Sequence, residues 1–199
     1  MSVSSTMLPL GTAAPGFSLP DVAAARTVSP ADFADRQALV VIFLCAHCPY
    51  VVHVLPELVR LAQDYAGASV GIVGITANDA AQYPQDAPAP TAAAMRAAGI
   101  PFPILYDETQ SVARAYSAAC TPDFFLFDAQ RRLTYRGQLD ASRPGRGADR
   151  PGSGALNGAD LRAAIDATLA GKPVNPVQRP SIGCNIKWKP GSEPDWFRS

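Results

Sequence analysis

The sequence predicts an α/β sandwich around a mixed sheet, on three observations. Leu39–Leu44 and Ser69–Thr76 (SVGIVGIT) are continuous apolar runs, the pattern of strands buried on both faces. Pro49–Tyr65 and Asp160–Ala170 instead carry apolar residues at helical spacing, in the first case Val51, Val52, Leu55, Leu58, Val59 and Ala62. Strands and helices alternate along 199 residues that are 48% hydrophobic, enough for a single large core.

The remaining elements follow in chain order. Residues 1–38 read as a Pro- and Ala-rich lead-in with a short strand at Phe17–Leu19. Ser29 is a helix N-cap with Pro30 at the first helical position. Pro56 inside the 49–65 helix predicts a kink. The stretch 78–103 is Ala/Pro-rich, with one short helix expected at Thr91–Ala98. A strand at Pro103–Tyr106 and a helix at Thr109–Tyr116 come next. Phe124–Phe127 and Arg132–Gln138 form a hairpin. Residues 143–158 (RPGRGADRPGSGALNG) are a Gly/Pro-rich loop, whose Arg143, Arg146 and Arg150 read as a solvated stretch rather than an anion site. Gly171 and Pro173 close the 160–170 helix. From Lys172 the chain is a Pro-rich extended tail carrying Cys184, and Trp188 and Trp196 are expected to hold it on the domain.

Composition excludes several roles. With 17 basic and 17 acidic residues the formal charge is zero, so neither nucleic acid nor an acidic membrane surface is an expected partner. No apolar run reaches the about 20 residues that span a bilayer. The first residues show neither a basic region nor a long apolar stretch, so no secretory signal is expected and the cytoplasm is the expected compartment. Four cysteines are too few for a disulfide scaffold and point to redox or metal chemistry.

The chemistry concentrates where the apolar strand ends in Cys45-Ala46-His47-Cys48 and a helix begins at Pro49. A helix N-terminus carries about half a positive charge and unpaired N–H groups. A cysteine there ionises well below its ordinary value of about 8.5. Pro49 suits a position that needs no N–H, and a protonated His47 would add positive charge beside the thiol. His53, further along the helix, reads as a solvated or core-edge residue. CxxC is also half of a zinc site, which would draw on Cys45, Cys48, Cys120 and either Cys184 or His47. A second CxxC-type pair is missing, so no metal is expected, and no cofactor is required.

Four segments carry a family likeness. Gly11-Thr-Ala-Ala-Pro15-Gly-Phe17-Ser-Leu19 resembles the N-terminal G-x-x-A-P-x-F-x-L of the alkyl hydroperoxide reductase/thiol-specific antioxidant branch of the thioredoxin-like superfamily. The Cys45–Cys48 segment resembles its active-site strand and helix. Thr121-Pro122 before Asp123-Phe-Phe-Leu-Phe127 resembles its cis-proline loop. Pro180-Ser-Ile-Gly-Cys184-Asn-Ile-Lys-Trp-Lys189 resembles the tail of a bacterial subgroup with a C-x-H-C-P-Y-V motif. The resemblance implies a thioredoxin-like three-layer α/β/α sandwich with an N-terminal extension and a C-terminal tail. The domain would be residues 1–171, with the active-site segment at 39–66 and the cis-proline loop at 119–123. Residues 172–199 would pack on it as the tail.

The likeness also sets the register. In thioredoxins a proline lies eight residues after the nucleophilic cysteine, and a phenylalanine five before it. Pro56 and Phe43 both assign that place to Cys48, with Val51 where thioredoxin has its second cysteine. An extended 45–48 segment would hold the two Cα atoms about 10 Å apart, whereas a disulfide needs about 4.4–6.8 Å. The segment must therefore turn if the pair is to close. The peroxiredoxin pattern P-x-x-x-T-x-x-C fails at both markers, since Val41 and Cys45 stand at the Pro and Thr positions.

The resemblance implies a thiol–disulfide oxidoreductase with an antioxidant role. Cys48 would be the nucleophile, the resolving thiol would be sought in the order Cys45, Cys120, Cys184, and His47, Pro49, Thr121 and Pro122 would form the active-site surface. Protein disulfides are the expected substrates, with hydroperoxides the alternative if the protein is a thiol peroxidase. A thioredoxin- or glutathione-type reductant would complete the cycle. A non-catalytic binding module is the remaining alternative, kept open by Val51.

Overall fold

A computed structural model describes residues 2–145 and 152–198. In chain order the strands and helices are β1 (Ser2–Ser4), β2 (Leu19–Pro20), β3 (Thr27–Val28), β4 (Ala38–Phe43), α1 (Pro49–Asp64), β5 (Val70–Thr76) and α2 (Pro88–Ala97). They continue with β6 (Ile104–Tyr106), α3 (Ser111–Ala115), β7 (Cys120–Thr121), β8 (Asp123–Phe127), β9 (Leu133–Gly137), α4 (Ala159–Leu169) and β10 (Ile182–Asn185).

The apolar run of β4 makes it the central strand of a five-stranded sheet ordered β6-β5-β4-β8-β9. It runs parallel to β5 and antiparallel to β8, so the sheet is mixed. Strand alternation divides its side chains between two cores. Val40, Ile42 and Leu44 meet Leu58 and Leu61 of α1 and Leu161 and Ile165 of α4. Leu39, Val41 and Phe43 meet Phe17, Phe33, Val112 and Trp188 on the opposite face. This is the thioredoxin-like sandwich, with both faces of β4 fully buried.

Several local boundaries differ from the sequence expectation. Helix α2 starts three residues early, because Pro88 and Pro90 occupy a first turn where a missing N–H costs nothing. Helix α3 starts late, because Gln110 adopts a left-handed backbone at φ 60°. The Ser29 cap stands: Ser29 N–H and Oγ both donate to Asp32 at 2.8 and 3.0 Å, opening a 3-10 turn. Helix α1 is continuous from 49 to 64 with Pro56 inside it. Arg143 is not a solvated side chain, since it donates to Gln138 Oε1 at 2.6 Å and its backbone pairs with Ser153. Arg146 and Arg150 lie outside the described residues.

The largest addition is a second sheet. Neither β1 nor β10 was evident in the sequence, yet they form a three-stranded antiparallel sheet in the order β1-β10-β7. Residue Cys184 lies opposite Thr121 on one side and Ser2 on the other. Beyond β10, Ile186 and Trp188 are buried in the second core, each contributing about 1.5–3 kcal/mol by removal from water. The tail is therefore an integrated part of the domain at 182–188, not a segment resting on it.

Candidate active site

Strand β4 ends at Phe43 and the chain bends at Ala46–His47 before α1. This bend supplies the turn that an extended 45–48 segment lacked. Cys48 becomes the N-cap of α1, with extended backbone (φ −66°, ψ 124°), and its carbonyl accepts the first helical hydrogen bond from Val52 N–H at 2.9 Å. Its side chain is fully buried.

The Thr121-Pro122 peptide is cis and lies against this helix start. As a thiol, Cys48 donates to the Thr121 carbonyl at 3.1 Å. As a thiolate it accepts instead, first from the Cys45 thiol, then from Cys184, the Thr121 side chain and the Val51 N–H. These donors outweigh burial and lower its pKa to about 4. Neighbouring thiols therefore act on this sulfur together with the N–H groups of the helix start.

The other cysteines differ in placement and state. Cys45 is buried, lies 3.5 Å from Thr121 Oγ1, and is held protonated far above the ordinary thiol range by donation to Cys48 and by burial. Cys184 is half-buried and pushed up to about 11 by burial and by its hydrogen bond to Cys48. Cys120 is turned from the cluster, because successive strand residues point to opposite faces and Thr121 takes the face toward Cys48. Its thiol lies 3.5 Å from the Pro122 carbonyl and is raised well above the usual range by burial, then by Asp123. All four are free thiols.

Three further groups at the site lie outside the Cys45–Cys48 motif. The buried Asp86 accepts from Asn78 Nδ2 at 2.8 Å and holds His47 Nδ1 at 2.8 Å, while Tyr83 stacks on the His47 ring. The buried Asp123, next to the cis-proline, accepts from Ser5 Oγ at 2.8 Å and Ala119 N–H at 3.2 Å, and pairs with fully buried Arg136. Gly183 of β10, packed against the Thr121 carbonyl, is the third. Only Gly183, inside the I-G-C-N segment, had a signal to offer: a glycine in a strand marks close backbone approach. His53 bonds Ser142 Oγ at 2.9 Å, away from the sulfurs.

Metal-ligand geometry differs from the zinc set weighed above. The structure gathers one ligand atom each from Cys45, His47 and Asp86 within 4.8 Å, and it leaves Cys120 out. The short His47–Asp86 contact already satisfies those two groups as an orienting pair.

The sequence profile of the Redoxin family matches residues 9–151. The chain belongs to the Redoxin family. Among solved structures, an uncharacterized conserved protein from Geobacillus kaustophilus is 50% identical, with a TM-score of 0.90 over 96% of this chain and 98% of that one. A hypothetical protein from Sinorhizobium meliloti is 48% identical, with a TM-score of 0.88 over 94% and 99%. A thiol:disulfide interchange protein of Chlorobium tepidum shares the fold at 21% identity, with a TM-score of 0.59 over 80% and 97%. No curated protein matches the chain. Membership in the Redoxin family gives this protein a thioredoxin-like redox function.

Proposed function

We propose that this Redoxin protein is a thiol–disulfide oxidoreductase in which Cys48 is the attacking thiolate. The observation that carries the reading is the Cys48 sulfur at the start of α1, ringed by thiol and hydroxyl donors that hold it ionised at neutral pH. The thiolate attacks one sulfur of a disulfide R–S–S–R′, forming Cys48–S–S–R and releasing R′–S⁻, which takes a proton from water. A second protein thiol then loses its proton and attacks the Cys48 sulfur, releasing R–S⁻ and leaving an intramolecular disulfide. Two electrons have passed from protein to substrate, and an external thiol reductant restores the dithiol. Peroxide reduction is the weaker reading, because Cys45 occupies the place of the peroxide-holding threonine.

Steady-state reduction of hydroxyethyl disulfide, run beside hydrogen peroxide consumption, tests the proposal. Turnover on the disulfide that disappears in C48S is expected. Peroxide consumption without disulfide reduction would replace it with the peroxidase reading.

A further inference from the structure

The edge nearest the nucleophile is already occupied by the chain itself. Strand β10 pairs antiparallel with β7, bringing Cys184 opposite Thr121, and the Thr121 carbonyl lies 3.1 Å from the Cys48 sulfur. An extended peptide bound beside the cis-proline would use the same backbone groups, by adding a strand to an open edge. Here the C-terminal strand makes that addition internally and contributes a cysteine at the register next to Cys48.

The docking is specific to this sequence. A Cβ at Gly183 would overlap the Thr121 carbonyl and lie 2.6 Å from its carbon and 3.2 Å from Pro122 N. Only glycine permits so close an approach. The strand is held from its other side by β1, by Ser5 N–H to the Ser181 carbonyl at 2.9 Å, and beyond by buried Ile186 and Trp188. Cys184 is therefore held in the register opposite Thr121 and packed against the core cluster that includes Cys48.

We propose that β10 is a built-in occupant of the peptide-docking edge, that its Cys184 closes the intramolecular disulfide with Cys48, and that the external substrate is consequently a low-molecular-weight disulfide rather than an extended polypeptide. This rests on the disulfide-reductase reading above. Cys184 is half-exposed, so its proton passes to water as it attacks the Cys48–substrate disulfide and expels the small thiolate. Lys187 on the same segment favours its ionised form. Cys45, buried and shut between Thr121 and Cys48, serves as hydrogen-bond donor to the nucleophile and keeps its proton.

The experiment treats the reduced full-length protein with one equivalent of hydroxyethyl disulfide, quenches in acid, alkylates and maps peptides by mass spectrometry. A Cys48–Cys184 bond in the wild type is expected, with the Cys48–mercaptoethanol adduct accumulating in C184S but not in C45S. A Cys45–Cys48 bond in the wild type overturns the proposal and leaves the reductase reading intact. An unmodified Cys48 overturns both. For the substrate class, the ratio of the single-turnover rates at which Cys48 attacks insulin and hydroxyethyl disulfide, a step that does not use Cys184, is measured in the wild type and in G183A. A low ratio rising roughly tenfold in G183A is expected, because the added Cβ lifts the strand from the edge. Should G183A not fold, the wild-type ratio alone decides, and insulin reduced as readily as the small disulfide overturns the proposal.

Discussion

Cys45 and Cys184 both lower the Cys48 pKa, but they come to the site by different routes and in different states. Cys45 arrives locally, three residues back along the chain, at the end of a strand buried on both faces. It is enclosed and firmly protonated, and it is the foremost cause of the low Cys48 pKa. Cys184 arrives from the far end of the sequence through strand pairing with β7. It is half-buried, ionises near 11, and ranks behind Cys45 among the groups that acidify Cys48. In the proposed cycle one flank tunes charge and the other exchanges bonds, a division that follows from burial, which decides which proton can leave.

The sharpest break of this comparison is removal of the sulfur both flanks serve. C48S is expected to lower disulfide reduction by roughly three or more orders of magnitude, as loss of a covalent nucleophile does. A smaller loss in a steady-state assay would mean that another thiol attacks.

Separating the flanks comes next. Thiolate absorbance near 240 nm (a readout independent of access to the sulfur) is expected to titrate with a midpoint of about 4 in the wild type. That transition should vanish in C48S, and the midpoint should rise further in C45A than in C184A. Equal shifts would erase the distinction between a tuning and an exchanging flank. The same group links stability to pH. Its folded pKa lies below the unfolded value of about 8.5, so ionised Cys48 stabilises the fold fully above about pH 8.5. That contribution declines as pH falls and is gone below about pH 4. Denaturant unfolding of wild type and C48S should therefore show a stability difference that shrinks on acidification.

Two smaller effects probe the scaffolds behind each flank. On the Cys45 side, D86A leaves Asn78 Nδ2 and His47 Nδ1 without their buried acceptor and is expected to cost about 1–3 kcal/mol in urea unfolding. On the Cys184 side, S5A removes one hydrogen bond to Asp123, which keeps the Ala119 and Arg136 contacts, and about 1 kcal/mol is expected. A larger loss for S5A than for D86A would show that the strand-built flank carries more of the site's stability.

The sequence by itself determined the central strand, the sandwich and the identity of the residue at the helix start. Each rests on short-range pattern: the apolar run 39–44, the helical period after Pro49, and the spacing of Phe43 and Pro56 about Cys48. The Thr121-Pro122 turn was legible too, as a local motif before an apolar strand. Tertiary structure alone decided which groups surround the sulfur. Asp86 sits in an ordinary Pro-rich turn, and nothing in Tyr-Pro-Gln-Asp marks it as the buried partner of a histidine far behind it in the chain. The strand at 182–185 is too short and too polar to show a period, and its existence depends on two partners, β1 and β7, drawn from distant parts of the chain. Pairing between strands depends on both partners at once, whereas a linear pattern records only one. For that reason the cysteine that looked free to swing on a tail proves to be fixed in a strand beside the cis-proline loop, by a glycine whose missing side chain leaves room for a carbonyl.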